Sequence, residues 1–144
     1  LDSNKKQFNG LWAIVLGGSS GFGLAAIEKL AGHGMNIAVL YREIAANEKV
    51  LKERLVALAA ECSVTIAPFN MNALDAEARS SFINQFSLLT GKQHCVRLLL
   101  HSIARGNLKP LVGEGSLSTD DIELTTYAMS TSLLDWTKDL LQAS

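Results

Sequence analysis

The stretch that most limits what this chain can become is LWAIVLGGSSGFGLAAIEKL, residues 11–30. Leu11 to Leu16 form a short, unbroken apolar run, the pattern of a strand buried on both faces. Gly17, Gly21 and Gly23 follow at the spacing G-x-x-x-G-x-G. Leu24, Ile27 and Leu30 then recur at helical spacing, and Gly32 and Gly34 bracket the end of that helix. Strand, glycine turn and helix in this order make the first half of a βαβ unit, whose next strand lies parallel to the first.

The remaining chain repeats the alternation. MNIAVLYR is a second strand with Ile37, Val39 and Leu40 at its centre. EIAANEKVLKERLVALAAE is a helix whose Val50, Leu51, Leu55 and Leu58 form one apolar stripe. SVTIAPF, alternating and β-branched, is a third strand with Pro68 near its end. Asp75–Leu89 reads as a helix with Ala78, Phe82 and Phe86 on one face, closing at Gly91, and CVRLLLHS is a fourth strand. A loop from Ala104 to Ser118 leads to a last helix, which Ser118 and Asp121 open. Parallel strands need helical crossovers, so the expected class is α/β: a doubly wound, Rossmann-like parallel sheet with helices on both faces. With no repeat, low-complexity segment or internal linker, residues 1–144 are expected to form one domain. The chain starts at Leu1 and stops just after a helical stretch, so it is expected to be a piece of something longer, its sheet incomplete towards the C-terminus.

Composition narrows the partners. Nearly half the residues are apolar (48%), 19% are charged and the formal net charge is −1, so neither a nucleic-acid surface nor an anionic membrane is expected as partner. No apolar stretch approaches the roughly 20 residues that cross a bilayer. Cys62 and Cys95 lack metal-ligand or CxxC spacing, and with the polar N-terminus they fit reduced thiols in the cytoplasm. His33, His94 and His101 add no metal-ligand spacing, so no metal is expected.

The glycines carry the chemistry. A diphosphate needs backbone N–H donors close by, no side chain in the way, and the positive end of a helix behind them. Gly17 would make the turn, Gly21 the close approach, and Gly23 the packing of helix on strand. Ser19 and Ser20 offer hydroxyl donors, and Phe22 lies within the same turn. An ordinary flexible loop is the alternative, but the strand before and the helix after are what nucleotide binding requires. At the end of the second strand, a ribose diol would call for Asp or Glu. Here stands Tyr41-Arg42-Glu43; the Arg42 guanidinium suits a 2′-phosphate, so NADP is favoured, with NAD second because of Glu43 beside it.

These residues resemble the short-chain dehydrogenase/reductase superfamily, whose T-G-x-x-x-G-x-G signature is matched here with Leu16 in place of the threonine. The resemblance corresponds to the N-terminal half or so of a usual member. The tetrapeptide HSIA, His101 to Ala104, and the following RGNLKPL are similar to the enoyl-acyl carrier protein reductase branch, where most members have NNAG. The stretch TTYAMSTSLLDWTKDLL, containing Tyr127, is similar to that branch's next helix. The resemblance implies an NADP-dependent oxidoreductase reducing a trans-2-enoyl thioester in fatty-acid biosynthesis. It further implies that His101, Ser102, Ile103 and Ala104 line the nicotinamide side of the cofactor, and that Asn70, Met71 or Asn72 replaces the family's adenine-binding Asp and its neighbour. Family members are commonly tetramers, so a homo-oligomer is implied too.

The family's reaction needs a tyrosine–lysine pair, spaced Y-x-x-x-K or Y-x-x-x-x-x-x-K. Those offsets lead from Tyr41 to Ala45 and Glu48, and from Tyr127 to Thr131 and Leu134, so neither spacing occurs. Tyr127 is expected to pack. Three readings stand: the cofactor-binding part of an enoyl-thioester reductase, the same part of a ketone or alcohol reductase, and a non-catalytic nucleotide-binding domain.

Overall fold

The apolar run forms strand β1, Trp12–Leu16, and every one of its residues is buried. The turn after it enters helix α1, Gly21–Gly32. This helix closes where Gly34 takes φ +85°, its N–H donating to the Ala31 carbonyl while Met35 N–H reaches back to Leu30. That paired closure is the usual use of a left-handed residue at a helix end. Strand β2, Asn36–Tyr41, helix α2, Ala45–Cys62, strand β3, Ile66–Asn70, helix α3, Ala76–Thr90, and strand β4, Val96–His101, follow. All strand pairings are parallel, in the order β3-β2-β1-β4.

Both faces of this sheet are covered, as the continuous apolar strands require. On one face Ala13, Val15, Ile37 and Val39 meet Leu24, Ile27 and Ala31 of α1 and Leu51 and Leu55 of α2. On the other, the rings of α3 meet the strands edge-on, Phe86 against Trp12 at 5.3 Å and Phe82 against Phe69 at 4.9 Å between centroids. Such pairs add about 0.5–1.5 kcal/mol each beyond the area they bury. The sheet is doubly wound and Rossmann-like.

The described residues, 6–91 and 96–143, fall into two compact units, one running through Ser102 and the other spanning Ile103–Ala143. In the second unit, helix α4, Thr119–Thr126, opens with the expected capping box, Ser118 and Asp121 each bonding the other's backbone N–H. The Asp121 carboxylate also accepts from Lys109 Nζ at 2.7 Å and from the Asn107 amide, drawing the preceding loop onto the helix. Lys109 above all, then Ser118, hold that carboxyl far below the usual range.

Three expectations need correction. The third strand starts at Ile66, not Ser63: α2 runs on through Cys62 and closes with Ser63 at φ +52°, Val64 N–H bonding the Ala59 carbonyl. Val50 does not join the apolar stripe of α2, being 67% exposed; it precedes buried Leu51 by about 100° of helix turn and so points away from the sheet. The last helix is not one unbroken α-helix, because a π-turn at Tyr127–Thr131 separates α4 from helix α5, Ser132–Gln142. β4 is described from Val96; Cys95 and His94 lie outside the described residues.

No helix among the described residues is long and apolar enough to cross a membrane, and no cluster of His, Cys, Asp or Glu there could hold a metal ion.

Candidate functional site

The strand order creates the site. From β1 the chain steps outward to β2 and β3, then returns to lay β4 on the opposite side of β1. In such sheets the usual ligand position lies beyond the carboxyl ends of the strands where the order reverses. Leu16 and His101 are partners there, and Ser102 N–H donates to the Leu16 carbonyl at 2.8 Å.

The glycine turn occupies the carboxyl end of β1. Gly17, at φ +84°, and Gly18 both donate to the Leu40 carbonyl, at 2.9 and 3.0 Å, which swings the chain off the sheet. A Cβ on Gly23 would stand 2.1 Å from the Gly17 carbonyl oxygen, so only glycine lets α1 start this close to the turn. Gly21 is the opposite case: it holds φ +53°, but a Cβ there would meet no protein atom within 4 Å. Its missing side chain leaves open space at the helix start. Gly18, which the spacing argument passed over, is also required, because a Cβ would lie 2.5 Å from Val39 Cγ1 and 2.8 Å from Ile27 Cδ1. The doubled glycine directly after the strand was its only signal.

The first turn of α1 carries no acidic, charge-balancing residue of its own. The N-cap of the helix, Ser20, makes no side-chain capping bond. By contrast α3 is capped by Asp75 and has Glu77 in its first turn, and α4 has its capping box with Asp120 and Asp121. Of these three helices α1 alone lacks both a side-chain cap and an acidic first turn. Phe22, in that first turn, is 91% exposed.

Beside this turn lies a cleft of about 290 Å³, lined by Ser19 and Leu24 on one side and by Glu43, Asn47, Val50 and Arg54 on the other. Arg42 follows β2 directly and is exposed. Its neighbour Glu43 turns its carboxylate to Asn47 Nδ2, 3.0 Å away, and to the Ser19 hydroxyl; these bonds hold it below the usual carboxylate range. The Asn70 amide accepts from Glu43 N at 3.1 Å and donates to the Glu43 carbonyl at 2.9 Å and to Glu48 Oε2 at 3.0 Å. Both of its N–H groups are committed. Met71 N–H donates to the Tyr41 carbonyl, and Asn72 Oδ1 accepts from Leu74 N.

Burial pushes the Tyr41 hydroxyl up to about 12, with help from the Glu48 carboxylate that it contacts at 3.3 Å, so Tyr41 keeps its proton. His101 is half-buried at the end of β4, and that burial lowers its imidazole below the ordinary value. Tyr127 does more than pack: its hydroxyl donates to Asp135 Oδ2 at 3.0 Å across the π-turn. Ile103 and Ala104 open the second unit.

No family model matches the chain, and no curated protein matches it. Solved structures do. An NADPH-dependent 3-quinuclidinone reductase from Rhodotorula rubra superposes with a TM-score of 0.79 at 18% identity, over 96% of this chain and 49% of that one. A blue fluorescent protein from a metagenomic library, in complex with NADPH, gives 0.78 at 25% identity, over 96% of this chain and 52% of that one. A doubly substituted short-chain dehydrogenase/reductase from Serratia marcescens gives 0.73 at 21% identity, over 95% of this chain and 52% of that one. The chain is similar in fold to each and spans about half their length.

Proposed function

We propose that this chain is the cofactor-binding part of an NADPH-dependent oxidoreductase of the short-chain type. The observation that carries the reading is the turn after β1, where Gly23 admits the helix, Gly21 leaves space at its start, and the helix's first turn carries no acidic residue. A diphosphate fits that combination of donors, room and field. The solved structures that share the fold add to it, because one is an NADPH-dependent reductase and another is a complex with NADPH. Arg42 is assigned to the 2′-phosphate, Met71 and Asn72 to the edge of the adenine, and His101 and Ser102 to the nicotinamide side. Ser19 and Ser20 are assigned as hydroxyl donors to the phosphates or the ribose. NADPH, when bound, supplies a hydride equivalent; the chain's own residues bind and orient it.

The substrate assigned is a trans-2-enoyl thioester, on the strength of HSIA at the end of β4. A ketone is the second reading, which the quinuclidinone reductase fold neighbour favours. In the whole protein, NADPH oxidation should follow addition of a trans-2-enoyl thioester; turnover of ketones alone would decide for the second reading. The cofactor assignment is tested on this chain by titrating NADPH and NADH. Arg42→Ala should weaken NADPH by about tenfold or more, the range of a charge-assisted bond, and leave NADH nearly unchanged. Equal losses for the two cofactors would remove Arg42 from the 2′-phosphate.

A further inference from the structure

Asn70 was marked as a contact for the adenine, and its surroundings give it another task. The residue ends β3, where it is the ladder partner of Tyr41. Its side chain crosses from there to the connection after β2. The carbonyl oxygen takes the Glu43 N–H and one amide hydrogen returns to the Glu43 carbonyl, so the side chain pairs with residue 43 as a neighbouring strand would. The other hydrogen goes to Glu48, in the first turn of α2. Glu48 is in turn held by Lys52 Nζ at 2.7 Å and by the Tyr41 hydroxyl.

Arg42 stands between two pinned residues. Before it, Tyr41 is fixed by the ladder and by the Met71 N–H on its carbonyl; after it, Glu43 is fixed by Asn70. Both amide hydrogens of Asn70 are donated within the protein and its oxygen already takes the Glu43 N–H, and a backbone held on both sides limits where the Arg42 side chain can reach. Ordering a free loop would otherwise cost binding free energy each time the guanidinium engaged an anion.

We infer that Asn70 is a positioning residue that sets the preference for NADPH over NADH by pinning the backbone on which Arg42 stands. The inference rests on the cofactor reading above and is separable from it by experiment. Binding of NADPH and NADH is measured calorimetrically on this chain, on Asn70→Ala and on Asn70→Asp. The aspartate keeps the acceptor for Glu43 N–H but loses the donor and faces Glu48. Hydrogen exchange of the Glu43 amide is followed in parallel, without nucleotide. In both variants NADPH affinity should fall about tenfold, the scale of one to two lost hydrogen bonds. NADH affinity should change less than twofold, and the Glu43 amide should exchange faster in Asn70→Ala. A chain that binds neither nucleotide before substitution would overturn the cofactor reading and this inference together. A chain that prefers NADPH and keeps the same preference in both variants would overturn the inference alone. Equal losses of both cofactors would return Asn70 to the adenine.

Discussion

The two connections that leave β1 and β2 stand side by side and are built in opposite ways. The first, between β1 and α1, is made by leaving side chains out: Gly17 turns the chain, Gly18 and Gly23 let helix and sheet close, and Gly21 leaves room outside. Gly17 and Gly18 both bond backbone to backbone with Leu40, while the Ser19 hydroxyl reaches across to Glu43. The second, between β2 and α2, is made by adding side chains: Asn70, Glu48, Asn47 and Ser19 all hold Glu43 or the turn of helix beyond it. A connection of the first kind tolerates no added atom where helix and sheet close, at Gly18 and Gly23. One of the second kind tolerates substitution but responds to charge and pH. This suits a fixed anion site beside a specificity site.

The contrast can be broken most forcefully at Gly23. Gly23→Ala puts a methyl 2.1 Å from a backbone oxygen, and overpacking of that severity should cost about 3 kcal/mol, well beyond the roughly 1 kcal/mol gained from helix propensity. Denaturant unfolding measures it; a stable variant would mean the turn can move aside. Gly21→Ala comes next. Its methyl touches no protein atom, but its φ of +53° should cost about 1–2 kcal/mol. The telling result is nucleotide binding, which should fall more than stability does. Equal falls would show that the open space at Gly21 is not used by a ligand.

A pH titration sharpens the other half of the comparison. Glu43 and Glu48 both titrate below their ordinary value in the folded chain, Glu43 through Asn47 first and Ser19 next, Glu48 through Lys52 first and Asn70 next. A depressed folded value means that their bonds stabilise fully above the unfolded carboxylate range and are lost as pH falls through the folded one. Acidification below about pH 4 should therefore free amide exchange in residues 42–48 before residues 12–24. Simultaneous release would deny the two connections their separate character. The smallest effect is expected at Gly32, where a Cβ meets nothing within 4 Å and φ is not left-handed. Gly32→Ala should raise stability by about 0.5–1 kcal/mol, a control showing that glycines matter here only where their missing atom is used.

The same contrast explains what was legible beforehand. A turn made of glycines is written in one short stretch, so strand, turn and helix could be read together, as could the capping box of Ser118 and Asp121. The second connection joins residues as far apart as Ser19 and Asn70, and pairings over that span leave no local pattern. The end of α2 was misread because Ser63 took the left-handed position that glycine usually marks. The π-turn after α4 escaped because a single wide turn barely alters the apolar spacing of the flanking helices. Gly18 was missed because the signature counts its neighbours instead.

The two outermost strands of the sheet also differ in how safely they can be left bare. β3 carries Pro68, which lacks a ladder donor, and ends in a polar residue already engaged by its own side chain. β4 presents Leu98, Leu99 and Leu100 in succession, interrupted only where the register slips beside Arg97. Among the described residues β4 has β1 as its sole strand neighbour. Unpaired apolar edges recruit other chains, so concentrated solutions of this polypeptide should cloud or oligomerise through β4 while β3 stays inert. A charged residue placed at Leu99 would then act on shelf life and solubility before it acted on any nucleotide.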